Sequence, residues 1–169
     1  INKLINILDY QANKNTEHRY LVHQRNTYKN VPLWVVMNTL TFGQLSHFYS
    51  YLPHQIQTDI SKEFSNVNEH NLERYLDAIT LFRNACAHNE RLFSFHSKFL
   101  ITFKNIDKSY NNKDNSTNLY MIMKSMQVLL AEDKKQEFEN LINMEIEKLK
   151  DKVNSIDINI ILYLMGFYE

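Results

Sequence analysis

Arg83 and His88 lie five positions apart in the stretch 81–93, with Asn84 beside the arginine and Arg91 just past the histidine. An imidazole with an unperturbed pKa of about 6.5 exchanges protons near neutrality, and a planar, permanently charged guanidinium can hold two phosphoryl oxygens at once. The pair suits cleavage of an RNA phosphodiester by its own ribose 2′-hydroxyl. That reaction needs proton transfer and stabilisation of the charge gathering on the phosphoryl oxygens, and it demands no external nucleophile or metal. On this reading Arg83 binds the scissile phosphate and His88 transfers the proton. Asn84 and Arg91 support them, and His96 and Lys98 follow closely enough to contact RNA.

The element expected to carry these groups is a long helix capped by Asn68 and running over about 69–92. Leu72, Tyr75, Leu76, Ile79, Phe82, Cys86 and Phe93 form its apolar stripe at three- and four-residue intervals. At about 100° per residue, Asn84, His88 and Arg91 fall one turn apart on one face, with Phe82 and Cys86 turned to the core. Arg83 is about 140° round the axis from His88, a gap its long stem can close. Ala85 and Ala87 are small enough to admit a close neighbour. Cys86, inside the stripe, reads as a buried, inert thiol.

Other elements read similarly. Leu4, Ile5, Ile7 and Leu8 have helical spacing. Pro32 opens a helix whose residues Leu33–Trp34–Val35–Val36–Met37 are apolar on nearly every side and so expected to be buried. Thr41 caps a helix presenting Leu45, Phe48, Tyr49 and Leu52, and Pro53 starts another reaching about Phe64. Trp34, Phe42, Phe48 and Tyr49, at helical spacing, read as core rather than base-stacking groups. The Asn- and Lys-rich stretch 105–118 reads as a loop ended by a Ser116 cap. Helices then follow through Leu130, after an Asp133 cap, and over 156–167, closing near Gly166. The fold class expected is all-α, because two glycines and two prolines in 169 residues leave too little punctuation for a β-sandwich or a Gly-rich phosphate loop.

A hydrophobic share of 44% supports a core, and no apolar run is long enough to cross a bilayer, so the chain is expected to be cytoplasmic without membrane contact. One cysteine excludes an intrachain disulfide framework and a cysteine-rich zinc site. His18 and His23 are five apart, not the four that put two imidazoles on one helical face for zinc, so no metal or cofactor is expected. The formal net charge is zero, yet Lys14, Arg19, Arg25 and Lys29 face only Glu17, and Arg91, Lys98, Lys104, Lys108 and Lys113 outnumber Asp107 and Asp114. Basic stretches therefore bracket the Arg83–His88 region, a pattern that ordinary solvated faces also produce. The Arg-x-x-x-x-His spacing alone arises by chance in roughly one chain of this size in ten. The same residues also fit a surface ion pair of Arg83 and a half-buried helical His88.

Arg83–Asn84 followed by His88 resembles the signature of HEPN ribonucleases. The wider context is similar to the Abi-like (abortive infection) family within that group: Pro32–Leu33–Trp34, the stretch 41–46 with Phe48–Tyr49, Ala87–His88 with Arg91–Leu92–Phe93, and Met165–Gly166–Phe167. These pieces span most of the chain from about Val31. Departures are Asn89 in place of a second histidine, Phe93 for tryptophan, Ser94 for asparagine, and no acidic residue near Asn38. The resemblance implies a HEPN-like helical bundle with short additional helices, dimerising to bring two motifs together in one RNA cleft. Two regions are expected: residues 1–30 as an N-terminal helical segment and 31–169 as the HEPN-like Abi domain; Ile1 in place of methionine is what a segment cut from a longer protein, or one that has lost a disordered start, would show. One motif histidine per chain cannot act as base and acid in a single step, whereas two copies can share those tasks. The expected partners are RNA, a second copy, and an antitoxin or phage-derived trigger. The rival expectation is a non-catalytic helical module that binds RNA or a protein partner through the Arg83 face.

Overall fold

The computed structural model describes residues 1–97, 101, 103 and 117–167. Among these residues the protein is all-α, with nine α-helices, one 3-10 turn and a single isolated β-bridge. No described helix is long and apolar enough to cross a membrane. The helices fall into two compact units, Ile1–Pro53 and His54–Glu169.

The first unit holds α1 (Asn2–Asn13), α2 (Arg19–Tyr28), α3 (Leu33–Met37) and α4 (Phe42–Ser50). Leu4, Leu21, Val35, Val36 and Tyr49 are its buried apolar side chains. The turn between α1 and α2 is held by polar groups. Buried Asn15 accepts from the backbone N–H groups of Glu17 (2.9 Å) and His18 (3.1 Å). Arg25 reaches back to the carbonyls of Gln11 (3.3 Å), Ala12 (3.0 Å) and Asn15, satisfying acceptors that the end of α1 leaves open. Arg25 is therefore a helix-capping group and drops out of the basic stretch. Pro32 does precede α3, but the helix is only half covered: Val35 and Val36 are buried, whereas Leu33 and Trp34 are 53% and 70% exposed. A five-residue helix offers its neighbours too little length to cover every side, so Trp34 is not a core residue. Thr41 starts α4 as expected, in a reciprocal capping box: its hydroxyl accepts from Gln44 N–H (3.3 Å) and the Gln44 side chain accepts from Thr41 N–H (2.9 Å).

The second unit is built on α6 (Glu69–Ala87), preceded by α5 (His54–Ser61) and followed by a 3-10 turn (Leu92–Ser94), α7 (Leu119–Leu129), α8 (Glu132–Lys152) and α9 (Ile158–Met165). Asn68 caps α6 through Asn71 N–H at 2.8 Å. The core joins Tyr75, Ala78 and Phe82 of α6 to Ile101 and to Met121 and Ile122 of α7. Phe82 meets Phe95 edge-on at 4.9 Å, and Tyr75 stacks on Phe103 at 5.2 Å. Ser97 and Thr117 exchange both backbone hydrogen bonds (2.8 and 2.9 Å), and the buried Thr117 hydroxyl accepts from Ile101 N–H.

Two helix starts differ from the expected ones, α7 following a side-chain cap and α8 following Ala131, which offers none. Asn118, not Ser116, caps α7 through Met121 N–H at 3.1 Å; Ser116, most of the expected 105–118 loop and the lysines from 98 to 113 lie outside the described residues. The helix α8 begins one residue before Asp133, which sits in its first turn with Glu132, where carboxylates complement the helix dipole. Along α8, Phe138, Ile142, Ile146 and Leu149 are half-buried while Leu141 and Met144 are exposed. Gly166 closes α9 in the left-handed region at φ 93°.

Candidate active site

The site begins with the way α6 stops. Leu72, Tyr75, Ala78, Phe82 and Ala85 are its buried positions, which leaves Arg83 and Asn84 on the solvent side of the last two turns. The helix ends at Ala87 instead of continuing to residue 92. His88 N–H donates to Asn84 C=O (3.0 Å), Asn89 N–H to Cys86 C=O (3.2 Å) and Glu90 N–H to Ala85 C=O (3.0 Å), while Asn89 takes a left-handed φ of 54°. This is a Schellman ending, with asparagine at the position glycine most often fills. Asparagine tolerates that conformation better than most side chains, and it was the signal in the sequence that the stripe did not extend further.

This ending rearranges the expected site. Asn84 and His88 remain one turn apart, joined by a backbone hydrogen bond, and both are exposed. Arg91 leaves the helix: at φ −74°, ψ 94° it caps the 3-10 turn, exposed but no longer on the face of Asn84 and His88. Leu92 packs against the core in place of Phe93, which is 38% exposed. Cys86, expected in the core, is exposed, because the buried line passes through Ala85 and the helix ends two residues after it, at Ala87. Ala85 is thus part of the packing, and of the two small residues only Ala87 is open to a close neighbour.

Arg83 donates to the side-chain oxygen of Asn84 at 3.2 Å and makes no ion pair with a carboxylate among the described residues. Neither half of the surface-pair alternative is seen, since His88 is exposed rather than half-buried. His96 is also exposed and directly precedes the paired Ser97; Lys98 lies outside the described residues. Cys86, Asn89 and Glu90 are also exposed at this terminus, and residue type alone singles out neither Asn89 nor Glu90 for the site. Among the described residues no three His, Cys, Asp or Glu side chains are grouped to hold a metal ion. The arrangement offers an exposed guanidinium, amide and imidazole within two turns, open to a polyanion from solvent.

The model of the family described as Abi-like protein matches residues 1–94. The matched stretch takes in the first unit and, from the second, α5, α6, the helix ending and the 3-10 turn, including Arg83, Asn84, His88 and Arg91. No curated protein and no solved structure matches the chain.

Proposed function

Because this chain belongs to the Abi-like protein family, whose description points to abortive infection and hence to defence against phage, we propose that it is a metal-independent endoribonuclease of the HEPN type. Arg83 holds the scissile phosphate through paired N–H donors and stabilises the negative charge that grows on its oxygens. His88 acts on the proton. As base it takes the proton from the ribose 2′-hydroxyl while that oxygen bonds to phosphorus. As acid, a second imidazole gives a proton to the departing 5′-oxygen, so that the products are a 2′,3′-cyclic phosphate and a free 5′-hydroxyl. One chain carries one motif histidine, so the second imidazole comes from another copy, and the working enzyme is a homodimer whose two α6 endings face one RNA cleft. Asn84 orients the Arg83 guanidinium, and Arg91 and His96 contact the RNA backbone on either side. The action is held in check by an antitoxin or released by a phage-derived trigger.

The observation supporting this reading is the exposure of Arg83, Asn84 and His88 together at one helix terminus, with the guanidinium and amide bonded to each other. The test is His88→Ala. The variant keeps the helical signal and much of the RNA affinity, but yields no fragments ending in cyclic phosphate and is not toxic to cells. A variant that still cuts at the parent rate, or a parent that cuts nothing and yet binds RNA, removes the enzyme reading and leaves a binding module.

A further inference from the structure

The outward face of α2 carries cations with no carboxylate on the same helix. From His18 to Thr58 the sequence contains no carboxylate. The first unit carries Lys3, Lys14, Arg19, Arg25 and Lys29 against only Asp9 and Glu17. On α8 the ordinary pattern is present, for each of Lys134, Lys135, Lys148 and Lys150 has a glutamate three residues away as ion-pair partner. Such mixed-sign pairing is what a merely solvated helix shows. Arg19 and Lys29 enter none of the ion pairs among the described residues, and Arg25 is taken up by the carbonyls of the α1 terminus.

Rings accompany these charges. Leu21 is fully buried on the inward side of α2, yet Tyr20 and Tyr28 are 42% and 65% exposed. His18 lies against Tyr20 with centroids 5.3 Å apart, and His23 meets Tyr28 edge-on at 6.4 Å. Tyr28 stands in the last turn, about 140° round the axis from His23 and near the line of Leu21, and the edge contact is what joins it to the side of Arg19, Tyr20 and His23. Arg19 and Tyr28 are separated by about 14 Å along the helix axis. Flat rings interleaved with uncompensated cations are what a single strand of nucleic acid requires: stacking surfaces for bases and counter-charges for phosphates.

We propose that the α2 face formed by Arg19, Tyr20, His23, Tyr28 and Lys29, on the first unit, is a binding surface for single-stranded RNA in addition to the Arg83–His88 residues of the second unit. The choice of RNA over another polyanion rests on the proposed function; the carboxylate-free, ring-bearing surface does not.

The experiment uses the full chain and a fluorescent 2′-O-methyl oligoribonucleotide, which has no free 2′-hydroxyl and so reports binding without cleavage. Replacing Tyr20→Ala and Tyr28→Ala together weakens binding at least ten-fold. Replacing both by phenylalanine keeps it within about two-fold, because the stacking surface survives. Arg19→Gln with Lys29→Gln flattens the slope of log affinity against log salt by about 1.4, near 0.7 for each phosphate of a single strand that is no longer neutralised. Alanine variants that fold and bind like the parent, a salt slope unchanged in the glutamine pair, or a parent that ignores the oligonucleotide and binds poly-glutamate would each overturn the proposal. Should the alanine pair unfold, the salt slope of the glutamine pair decides alone. Tight, ring-dependent binding by a protein that cuts no RNA sustains this surface and removes only the enzyme reading. Cleavage that persists with all α2 variants binding normally does the reverse.

Discussion

The guanidinium of Arg83 donates to the side-chain oxygen of its neighbour Asn84 at 3.2 Å, with both side chains exposed. In water such a bond adds little to folding, because both groups are equally well solvated when it breaks. Its consequence is geometric: the amide narrows the range of a long side chain that, in the proposed reaction, meets a phosphate. Asn84→Ala therefore leaves stability within about 0.5 kcal/mol and lowers kcat/KM by about ten-fold, while Arg83→Ala removes the charge-stabilising donors and costs about 10²–10³ in kcat. Arg83→Lys falls between, since an ammonium cannot offer the paired donors of a guanidinium. Thermal melts with single-turnover cleavage assays separate the two effects. An Arg83→Ala protein that cuts at the parent rate contradicts the assignment.

Asn89 sets where α6 ends. At φ 54° it occupies a conformation that β-branched side chains reach only with strain, and its N–H closes the Schellman ending on Cys86. Asn89→Gly is expected to be neutral or slightly stabilising. Asn89→Val costs about 1–2 kcal/mol, and because His88 is the residue immediately before the reversal, it also slows cleavage in whatever fraction stays folded. Urea unfolding of the two variants checks the first part, and rates corrected for folded fraction check the second. Equal stability of the glycine and valine variants would show that the left-handed turn is not required.

The local signals that were legible in the sequence are those the chain resolves within a few residues. Asn68 and Thr41 are caps because an amide or hydroxyl oxygen there meets an N–H three positions on, and both do so. The buried line of α6 was legible through Phe82, since three- and four-residue spacing fixes one face of a helix. The helix end was not: Cys86 and Phe93 continue the apolar spacing, and only the turn preference of Asn89 argues against them. Nor could sequence show that Arg25 spends its charge on the carbonyls of α1, which depends on what lies across the turn, or that Trp34 stays outside, which depends on how short α3 is. At the site, residue types carried the information. Arg83, Asn84 and His88 share an exposed terminus, whereas Arg91 was displaced by the same turn that was missed.

Gly166 is required twice over. It ends α9 at φ 93°, and a Cβ placed on it would stand 2.2 Å from the side-chain nitrogen of Asn118, the residue that caps α7. Gly166→Ala thus combines a left-handed penalty with a clash against a buried cap, for a loss of about 2–4 kcal/mol. Asn118→Ala alone costs about 1 kcal/mol through the lost cap. Since the alanine at 118 also removes the clashing atoms, the double variant is less destabilised than the sum of the two single changes. A double-mutant cycle in urea measures that coupling, and strict additivity would mean that the two residues do not meet.

Tyr75 gives the second unit an alkaline limit. Burial pushes its hydroxyl up to about 12 from an ordinary value of 10.0, the charged form being poorly accommodated beneath Phe103 and the core. Below pH 10 the phenol is protonated in both folded and unfolded chains, and the full stability is present. Above pH 10 the unfolded chain releases the proton first, so stability falls, by about 1 kcal/mol at pH 11 and about 2–3 kcal/mol once pH passes 12. Tyr75→Phe lacks this proton and is free of that part of the decline. Urea midpoints of parent and variant, compared at pH 9 and pH 11, should therefore shift in the variant's favour by that amount. Parallel curves would mean that the phenol titrates alike in both states and is not held in the core.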